Sequence, residues 1–257
     1  MFSISDVRVV TDPVLREQIE RHPRAQELLR AFLYPYAAPD HDFLFEGGIT
    51  RPLTGNEVSA QIAGRIPVLA VGSNRAPVQL ARKFTHQNLS DVIPVTLGWM
   101  NHHDIVYSTH ITGYGAIPAT LAPSPGTRVR IAVTWLTPAQ LSHMHLTESV
   151  PAHYQYLQLH GRDIDLDCGS GPEHVGIYQS SSGYLFADGR VFALSSIRAT
   201  GRRYRASSQW EMMEHAAQCA GQVLRAEFVL RLIDDPRFRT DIRDRFIPKQ
   251  SSLCNPH

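Results

Sequence analysis

The sequence predicts an α+β protein, in which a small mixed β-barrel carries helical extensions at both ends. Three observations predict this class: helix signals before residue 60, short β-rich runs separated by turn residues between 66 and 159, and helical patterns after residue 209. A chain of 257 residues is long enough for such a domain. We expect a helical N-terminal extension (1–60), a barrel core (61–160), and a C-terminal hairpin and helices packed on the core (161–257).

The N-terminal extension begins with a helix signal. Thr11 and Asp12 are capping residues, and Pro13 suits a first helical turn. Pro23 is expected to end or restart this helix. Residues 34–52 are rich in Pro, Asp and Gly, which predicts a loop-rich connection to the core.

The central segment has the pattern of strands joined by turns. The apolar run IPVLAV at 66–71 is typical of a strand that is buried on both faces. Residues 104–111 and 127–136 predict two further strands. The SPGT sequence at 124–127 predicts a tight turn between these two.

Helix and hairpin signals follow the central strands. Thr137 and Pro138 predict an N-cap and the first residue of a helix. The Asp-Gly pair at 188–189 predicts a hairpin turn between two apolar arms. Residues 209–224 and 236–246 predict two more helices.

The charge balance limits the class of partner. The chain has 25 Lys and Arg against 24 Asp and Glu, and so lacks the basic surplus typical of proteins that bind nucleic acid or anionic membranes. The basic run RATGRRYR at 198–205 is interpreted as a solvated hairpin or loop. No apolar run approaches the roughly 18 residues that a membrane span needs. We therefore expect neither nucleic acid nor a membrane as partner.

Cysteine and histidine usage predicts no metal site. Cys168, Cys219 and Cys254 are widely spaced and odd in number, which indicates neither a disulfide framework nor a CxxC metal clamp and fits a reducing cytoplasm. His143 and His145 are two residues apart on a predicted helix. They therefore point to different sides and are not expected to share a metal ion.

The buried strand at 66–71 ends in a polar turn, Gly72-Ser73-Asn74, and a helix follows with Pro77 in its first turn. Backbone N–H groups at such a helix start attract carboxylates and phosphates. The turn lacks the Lys and glycine spacing of a phosphate-binding P-loop and the repeated Gly of a dinucleotide fingerprint. Two interpretations stay open: a turn that binds an anion, or a helix start capped by Ser73 or Asn74.

Three later segments follow this turn in a recognisable order. They are GYGAIPATL at 113–121, SPGTRVRIAVTW at 124–135 and MHLTESVPAHY at 144–154. Together with VGSN at 71–74, they resemble the γ-glutamylcyclotransferase-like family. Members of that family have a YGSN turn, a GGxATL strand, an SPGxxVxGxxW strand, and a helix with LDxxEG followed by Tyr. The resemblance covers residues 66–159 only.

The resemblance implies a small mixed barrel and an acyl-transfer activity on a γ-glutamyl-amine or a similar amide, with release of 5-oxoproline and without a cofactor. It implies that Glu148 is the general base, which takes a proton from the substrate α-amine. The substrate-binding residues that it implies are Val71, Gly72, Ser73, Asn74, Arg75 and Tyr154.

Some positions depart from the family pattern. Val71 stands where Tyr is usual, so a hydroxyl and a ring are missing from the expected pocket wall. His145 and Ser149 stand near Glu148 where Asp and Gly are usual, and His145 is close enough along a helix to share a proton with Glu148. The alternative is a non-catalytic or divergent member that binds a small molecule and uses its extensions to recruit a partner.

Overall fold

The computed structural model describes residues 2–85, 90–148, 150, 153–187 and 190–246. One mixed β-sheet forms its centre, and the helices near both ends of the chain share an apolar core with this sheet. The strands are β1 (Phe43–Glu46), β2 (Ile49–Pro52), β3 (Ile66–Leu69), β4 (Ile93–Tyr107), β5 (Ala119–Leu136), β6 (Tyr154–His160), β7 (Ile164–Leu166), β8 (Gly169–Ser170), β9 (His174–Ser180), β10 (Phe186–Ala187), β11 (Arg190–Leu194), β12 (Ala199–Thr200) and β13 (Arg205–Ser207). The helices are α1 (Pro13–Arg21), α2 (Ala25–Phe32), α3 (Gly55–Ile62), α4 (Pro77–Phe84), α5 (Pro138–Thr147), α6 (Gln209–Cys219), α7 (Ala226–Asp234) and α8 (Pro236–Phe246).

The sheet is mixed and follows an open path. Its main strand order is β10-β11-β4-β5-β3-β9-β6. β3 pairs antiparallel with β5 and parallel with β9, because its two neighbours run in opposite directions. Among the described strands, no pairing joins β6 to β10. The predicted α+β class is confirmed, whereas the predicted closed barrel is not.

The SPGT segment lies inside β5, so the predicted tight turn between two strands is wrong. The pairing of β4 with β5 shifts between Asn101 and His103, which leaves residues 124–127 opposite His102. Gly126 (φ 85°) and His102 (φ 61°) adopt left-handed backbone there. Such a local excess of residues on one strand is a β-bulge, and it bends the two longest strands without ending them.

The N-terminal helix signals are confirmed. Asp12 Oδ1 accepts a hydrogen bond from Leu15 N at 2.7 Å, and Pro13 opens α1. Pro23 lies between α1 and α2. The cap satisfies one of the amide donors that every helix start leaves unpaired.

Residues 34–52 contain more regular structure than predicted. The hairpin of β1 and β2 lies in this segment, and β1 pairs with β4. Phe43 and Phe45 are fully buried in an apolar cluster of the sheet. Burial of these two rings favours a strand in spite of the surrounding Pro and Gly residues.

The helix that begins at Pro138 is confirmed, with Thr137 Oγ1 accepting a hydrogen bond from Gln140 N at 3.2 Å. Helix α6 is shorter than the predicted range 209–224, since it ends at Cys219 and Gly221 follows with φ 68°. Helix α8 matches the prediction, whereas α7 was not predicted. The Asp188-Gly189 turn, Ser149 and Cys254 lie outside the described residues.

Within the described part of the chain, no helix is both long and apolar enough to cross a bilayer.

The basic run at 198–205 is not a solvated loop throughout. Arg202 donates from Nε to Asp104 Oδ2 at 2.9 Å and from Nη2 to Asp104 Oδ1 at 3.1 Å. The Arg202 side chain is 15% exposed and that of Asp104 is fully buried. Burial raises the pKa of the Asp104 carboxyl, and Arg202 acts in the opposite direction. This pair ties the segment after β12 to β4.

Replacing Arg202 by Met should lower the free energy of unfolding by about 3–5 kcal/mol, because Asp104 would stay buried without its partner. Urea unfolding followed by circular dichroism measures this loss. The matched control is Arg203→Met at the exposed neighbouring position, where we expect a change below about 0.5 kcal/mol. Equal losses in the two variants would contradict a structural role for the pair.

Candidate functional site

A cavity of about 520 Å³ lies at the carboxyl end of β3. Its wall is formed by the turn after β3, the start of β5, helix α4, the end of α5, and side chains from α2 and α8. This volume is in the usual range for small-molecule sites. The predicted polar turn therefore lines a concave site.

Glu148 and the turn after β3 meet in this cavity. Asn74 Nδ2 donates to Glu148 Oε1 at 2.8 Å, and the Glu148 side chain is only 13% exposed. The fold explains this contact: β3 pairs with β5, β5 leads directly into α5, and Glu148 is the residue that ends α5. Strand pairing thus brings together two predicted residues that are far apart in the sequence.

Lys83 of α4 contacts the same carboxylate oxygen. Its Nζ pairs with Glu148 Oε1 and lies 3.3 Å from Met144 Sδ, and its side chain is 7% exposed. Among the described residues, none forms a hydrogen bond with Glu148 Oε2. The carboxylate is therefore held through Oε1, and Oε2 is available to a ligand.

The turn after β3 leaves its amides available. Residues Ser73–Arg75 form a 3₁₀ turn, and Ala76 is the N-cap of α4 without a side-chain cap. In the described part of the chain, the backbone N–H groups of Gly72, Ser73 and Asn74 have no acceptor. The interpretation of Ser73 or Asn74 as a helix cap is wrong, because Ala76 is the N-cap of α4. The Asn74 side chain donates a hydrogen bond to Glu148 instead.

Tyr34, from the segment after α2, completes the cavity wall beside Gly72. Its Oη accepts a hydrogen bond from Ala119 N at 2.8 Å. A Cβ on Gly72 would overlap this Oη, so glycine is needed for the approach. Burial raises the pKa of Tyr34 well above its usual range. Val71 lines the same cavity, so Tyr34 supplies a hydroxyl to a wall where Val71 cannot.

Of the other predicted site residues, two line the cavity and one does not. Ser73 and Tyr154 line the cavity, and burial raises the pKa of the Tyr154 hydroxyl well above its usual range. Arg75 does not line the cavity. Burial lowers the pKa of the Arg75 guanidinium, and the nearby Arg130 acts in the same direction. The turn thus directs Arg75 away from the cavity that its neighbours line.

The histidines near Glu148 have other partners. The contact predicted between His145 and Glu148 is not formed, because His145 Nδ1 lies 2.9 Å from Tyr178 Oη. His143 Nε2 lies 2.7 Å from the carbonyl oxygen of Lys83. Among the described residues, no group of three or more His, Cys, Asp or Glu side chains could hold a metal ion.

His110 is a buried base on the cavity wall. It is 7% exposed, its Nδ1 lies 3.1 Å from Ser108 Oγ, and its ring stacks on His153 with centroids 4.9 Å apart. Burial lowers the pKa of His110 to about 3, and the nearby His153 and Arg243 act in the same direction. At neutral pH the His110 ring therefore carries no charge.

Several residues that complete the cavity from other elements were not predicted as site residues from the sequence. They are Arg30, Tyr34, Gln79, Lys83, His110 and Arg239. A signal existed for Lys83. It follows the buried Ala76 and Leu80 at helical spacing, and a charged side chain on a buried helix face needs a partner. Arg30, Tyr34 and Arg239 lie outside the segment that the family motifs cover, and nothing local indicates where the fold places them.

No protein-family model and no curated protein matches the chain. Similar solved structures include a gamma-glutamyl cyclotransferase, with 11% identity, 74% of this chain and 93% of that chain covered, and a TM-score of 0.37. An uncharacterised human protein matches with 11% identity, 75% and 93% coverage, and a TM-score of 0.39. A yeast gamma-glutamyl cyclotransferase specific to glutathione matches with 12% identity, 70% and 98% coverage, and a TM-score of 0.32. At such identities and TM-scores, substrate and mechanism have to be argued from the contacts in the cavity.

Substituting Gly72 by Ala should cost about 1–3 kcal/mol of stability, because the new methyl group overlaps Tyr34 Oη. Tyr34→Phe alone should cost a similar amount, since it leaves the buried Ala119 N–H without its acceptor. The double variant removes the clashing oxygen, so its loss should be smaller than the sum of the two single losses. If urea unfolding shows that the loss in the double variant equals the sum of the two single losses, the close approach of Gly72 to Tyr34 Oη would be contradicted.

His110 should make stability depend on pH. Its folded pKa of about 3 lies below the ordinary value of 6.5, so the unfolded chain binds more protons between these pH values. The stabilisation is complete above pH 6.5 and decreases as the pH falls toward 3. Between about pH 6 and pH 4, wild type should lose up to about 1.4 kcal/mol per pH unit more than His110→Asn. His174→Asn, at a side chain 52% exposed, should keep the wild-type slope in urea unfolding. A wild-type slope in His110→Asn would contradict the assignment.

Proposed function

We propose that the protein catalyses acyl transfer within a γ-glutamyl-amine or a similar amide, in which the substrate α-amine displaces the amine on the γ-carbonyl carbon and 5-oxoproline is released. The observation that carries this proposal is the 2.8 Å contact between Asn74 and Glu148. It places a carboxylate beside a turn with available N–H groups, inside a cavity large enough for a small molecule.

Binding of the glutamyl end is assigned to the turn and to Gln79. The N–H groups of Gly72, Ser73 and Asn74 are suited to the α-carboxylate. Gln79 lies one helical turn before Lys83, is 9% exposed, and its Oε1 has no partner among the described residues. A buried acceptor without a donor is costly, and an N–H of the substrate α-amine would satisfy it.

In the chemical step, Glu148 Oε2 takes a proton from the substrate α-amine while the nitrogen of this amine attacks the γ-carbonyl carbon. The new C–N bond closes the five-membered ring, and the carbonyl electron pair moves to oxygen. Collapse of this intermediate breaks the bond to the departing amine, which takes the proton from Glu148. General-base help of this kind contributes roughly 10²–10⁴-fold to a rate, and ring closure benefits from holding the amine beside the carbonyl carbon.

The oxyanion needs a donor, and we assign this role to Tyr34. Its Oη already accepts from Ala119 N, so its own proton is left to donate. The raised pKa keeps the phenol protonated at neutral pH. The proposed reaction involves no change of oxidation state and requires no cofactor. We propose the cytoplasm as its location, on the cysteine usage described above.

A second candidate function is a binding protein that holds a small amine or acid without turnover. The pairing of Lys83 with Glu148 favours it, because a carboxylate held in a buried ion pair can serve to shape a binding site without taking part in proton transfer. The two functions differ in a product that can be measured, since only the enzyme releases 5-oxoproline.

Wild type should release 5-oxoproline from a γ-glutamyl amide, and Glu148→Gln should reduce the rate by about 10²–10⁴-fold, because the amide cannot accept the proton. Chromatographic measurement of 5-oxoproline tests this. Glu173→Gln, at a side chain 86% exposed, is the matched control and should keep the wild-type rate. Activity that survives Glu148→Gln would remove Glu148 from its assigned role, and binding without product in wild type would favour the binding protein.

A further inference from the structure

A second cavity, of about 720 Å³, lies between the N-terminal segments and the start of α6. Its wall is formed mainly by the 3₁₀ helix Ile4–Val9, the segment after α2, and the residues around the start of α6. Among the described lining residues, Tyr34 alone also lines the cavity of Glu148. The two cavities are therefore neighbouring but separate sites, and the second has no part in the reaction proposed above.

Aromatic rings form much of the wall of this second cavity. Phe32, Tyr36 and Trp210 line it, and their side chains are 2%, 6% and 7% exposed. Phe2 also lines it and packs against Tyr36, with 5.2 Å between the ring centroids. A concave site of this size with apolar and aromatic walls is typical of small-molecule sites, and such walls favour a flat aromatic ligand.

Several polar groups of this lining already have partners within the protein. Asp6, the one carboxylate among the described lining residues, accepts a hydrogen bond from Ser3 N at 3.0 Å. Ser5 Oγ lies 2.7 Å from Ser3 Oγ, and Ser208 is the N-cap of α6. The Gln209 amide, in its hydrogen-bonding orientation, pairs with the main chain of the loop before β5. These groups are therefore not the ones that would select a ligand.

The polar groups of the lining that stay unused are hydrogen-bond donors. Trp210 Nε1 is buried, and no described residue accepts a hydrogen bond from it. Arg8 is exposed and forms no ion pair with a described residue. The hydroxyls of Ser195 and Ser196 have no hydrogen-bond partner in the described part of the chain. A guanidinium, an indole N–H and two hydroxyls can all donate to the oxygens of an acid.

We propose that the second cavity binds a small aromatic carboxylic acid, with its ring against the aromatic wall and its carboxylate among the unused donors. Burial of the ring supplies most of the affinity. The contribution of Arg8 is modest, because this side chain is exposed and because Asp6 lines the same cavity. The acid is therefore expected to bind only a few-fold tighter than a neutral compound of the same shape.

The test uses 2-naphthylacetate and 2-naphthylacetamide, which share the ring and differ in charge. Titration calorimetry on the full-length wild-type chain should give a dissociation constant of about 1 mM or lower for the acid, the range expected for a compound of this size. The acid should bind about 2- to 5-fold tighter than the amide. Arg8→Met should remove this preference and leave the affinity for the amide within about 2-fold. Arg21→Met, at a side chain 80% exposed, is the matched control and should keep the preference.

A second variant tests the location of the site. Ser196→Trp introduces a ring at an exposed position of the lining, where it should not disturb the core. It should weaken the binding of both compounds by at least about 10-fold, because the ring occupies space that the ligand needs. Ser170→Trp, at an exposed position that lines neither cavity, is the matched control and should bind both compounds as wild type does.

Four results would overturn the proposal. They are no binding of either compound, equal affinity of wild type for both, a preference that survives Arg8→Met, and binding that survives Ser196→Trp. Binding in the cavity of Glu148 would give the last of these results, because Ser196 does not line that cavity. No step of the test uses the release of 5-oxoproline, so this proposal and the proposed function are tested separately.

Discussion

The candidate site depends on one interaction, in which Glu148 Oε1 is held jointly by Asn74 and Lys83. The three residues come from the end of α5, the turn after β3, and α4. Pairing of β3 with β5 sets the distance between the first two elements, and α4 follows the turn directly. The sheet thus determines where the carboxylate lies, and the ammonium group determines which of its oxygens is left for a ligand.

Compared with apolar side chains of similar size, a buried ion pair of this kind adds little to the free energy of unfolding. Removing two charges from water costs several kcal/mol, and their mutual attraction roughly offsets this cost. With side chains 7% and 13% exposed, Lys83 and Glu148 are poorly solvated, yet the pair fixes the geometry of a carboxylate that a helix end alone would leave free to rotate. A cavity that holds its acid in one orientation meets a requirement of general-base chemistry, since proton transfer depends on distance and alignment.

The sequence predicted those features that depend on local chemistry. Asp12 and Thr137 cap their helices because the hydroxyl or carboxylate next to a proline start has a nearby amide to accept from. The sequence could not distinguish the bulge at SPGT from a tight turn, because Pro and Gly favour both. The two differ in whether the partner strand continues alongside, as β4 does here. The meeting of Glu148 with the polar turn was predicted by family resemblance, while Tyr34 and Arg239 depend on how distant segments pack.

The division between the core and the extensions has a consequence for specificity. The motifs within 66–159 supply the turn and the carboxylate, which are the groups that a common acyl-transfer chemistry needs. The hydroxyl of Tyr34 and the charges of Arg30 and Arg239 come from outside that segment, and each lines the same cavity. A site built to hydrogen-bond a ligand group rejects ligands that lack this group, so under the proposed function the residues from the extensions would influence substrate choice. Two chains with the same core motifs and different extensions would line their cavities with different residues, so a resemblance confined to the core leaves both the reaction and the substrate to be argued from the residues of the cavity.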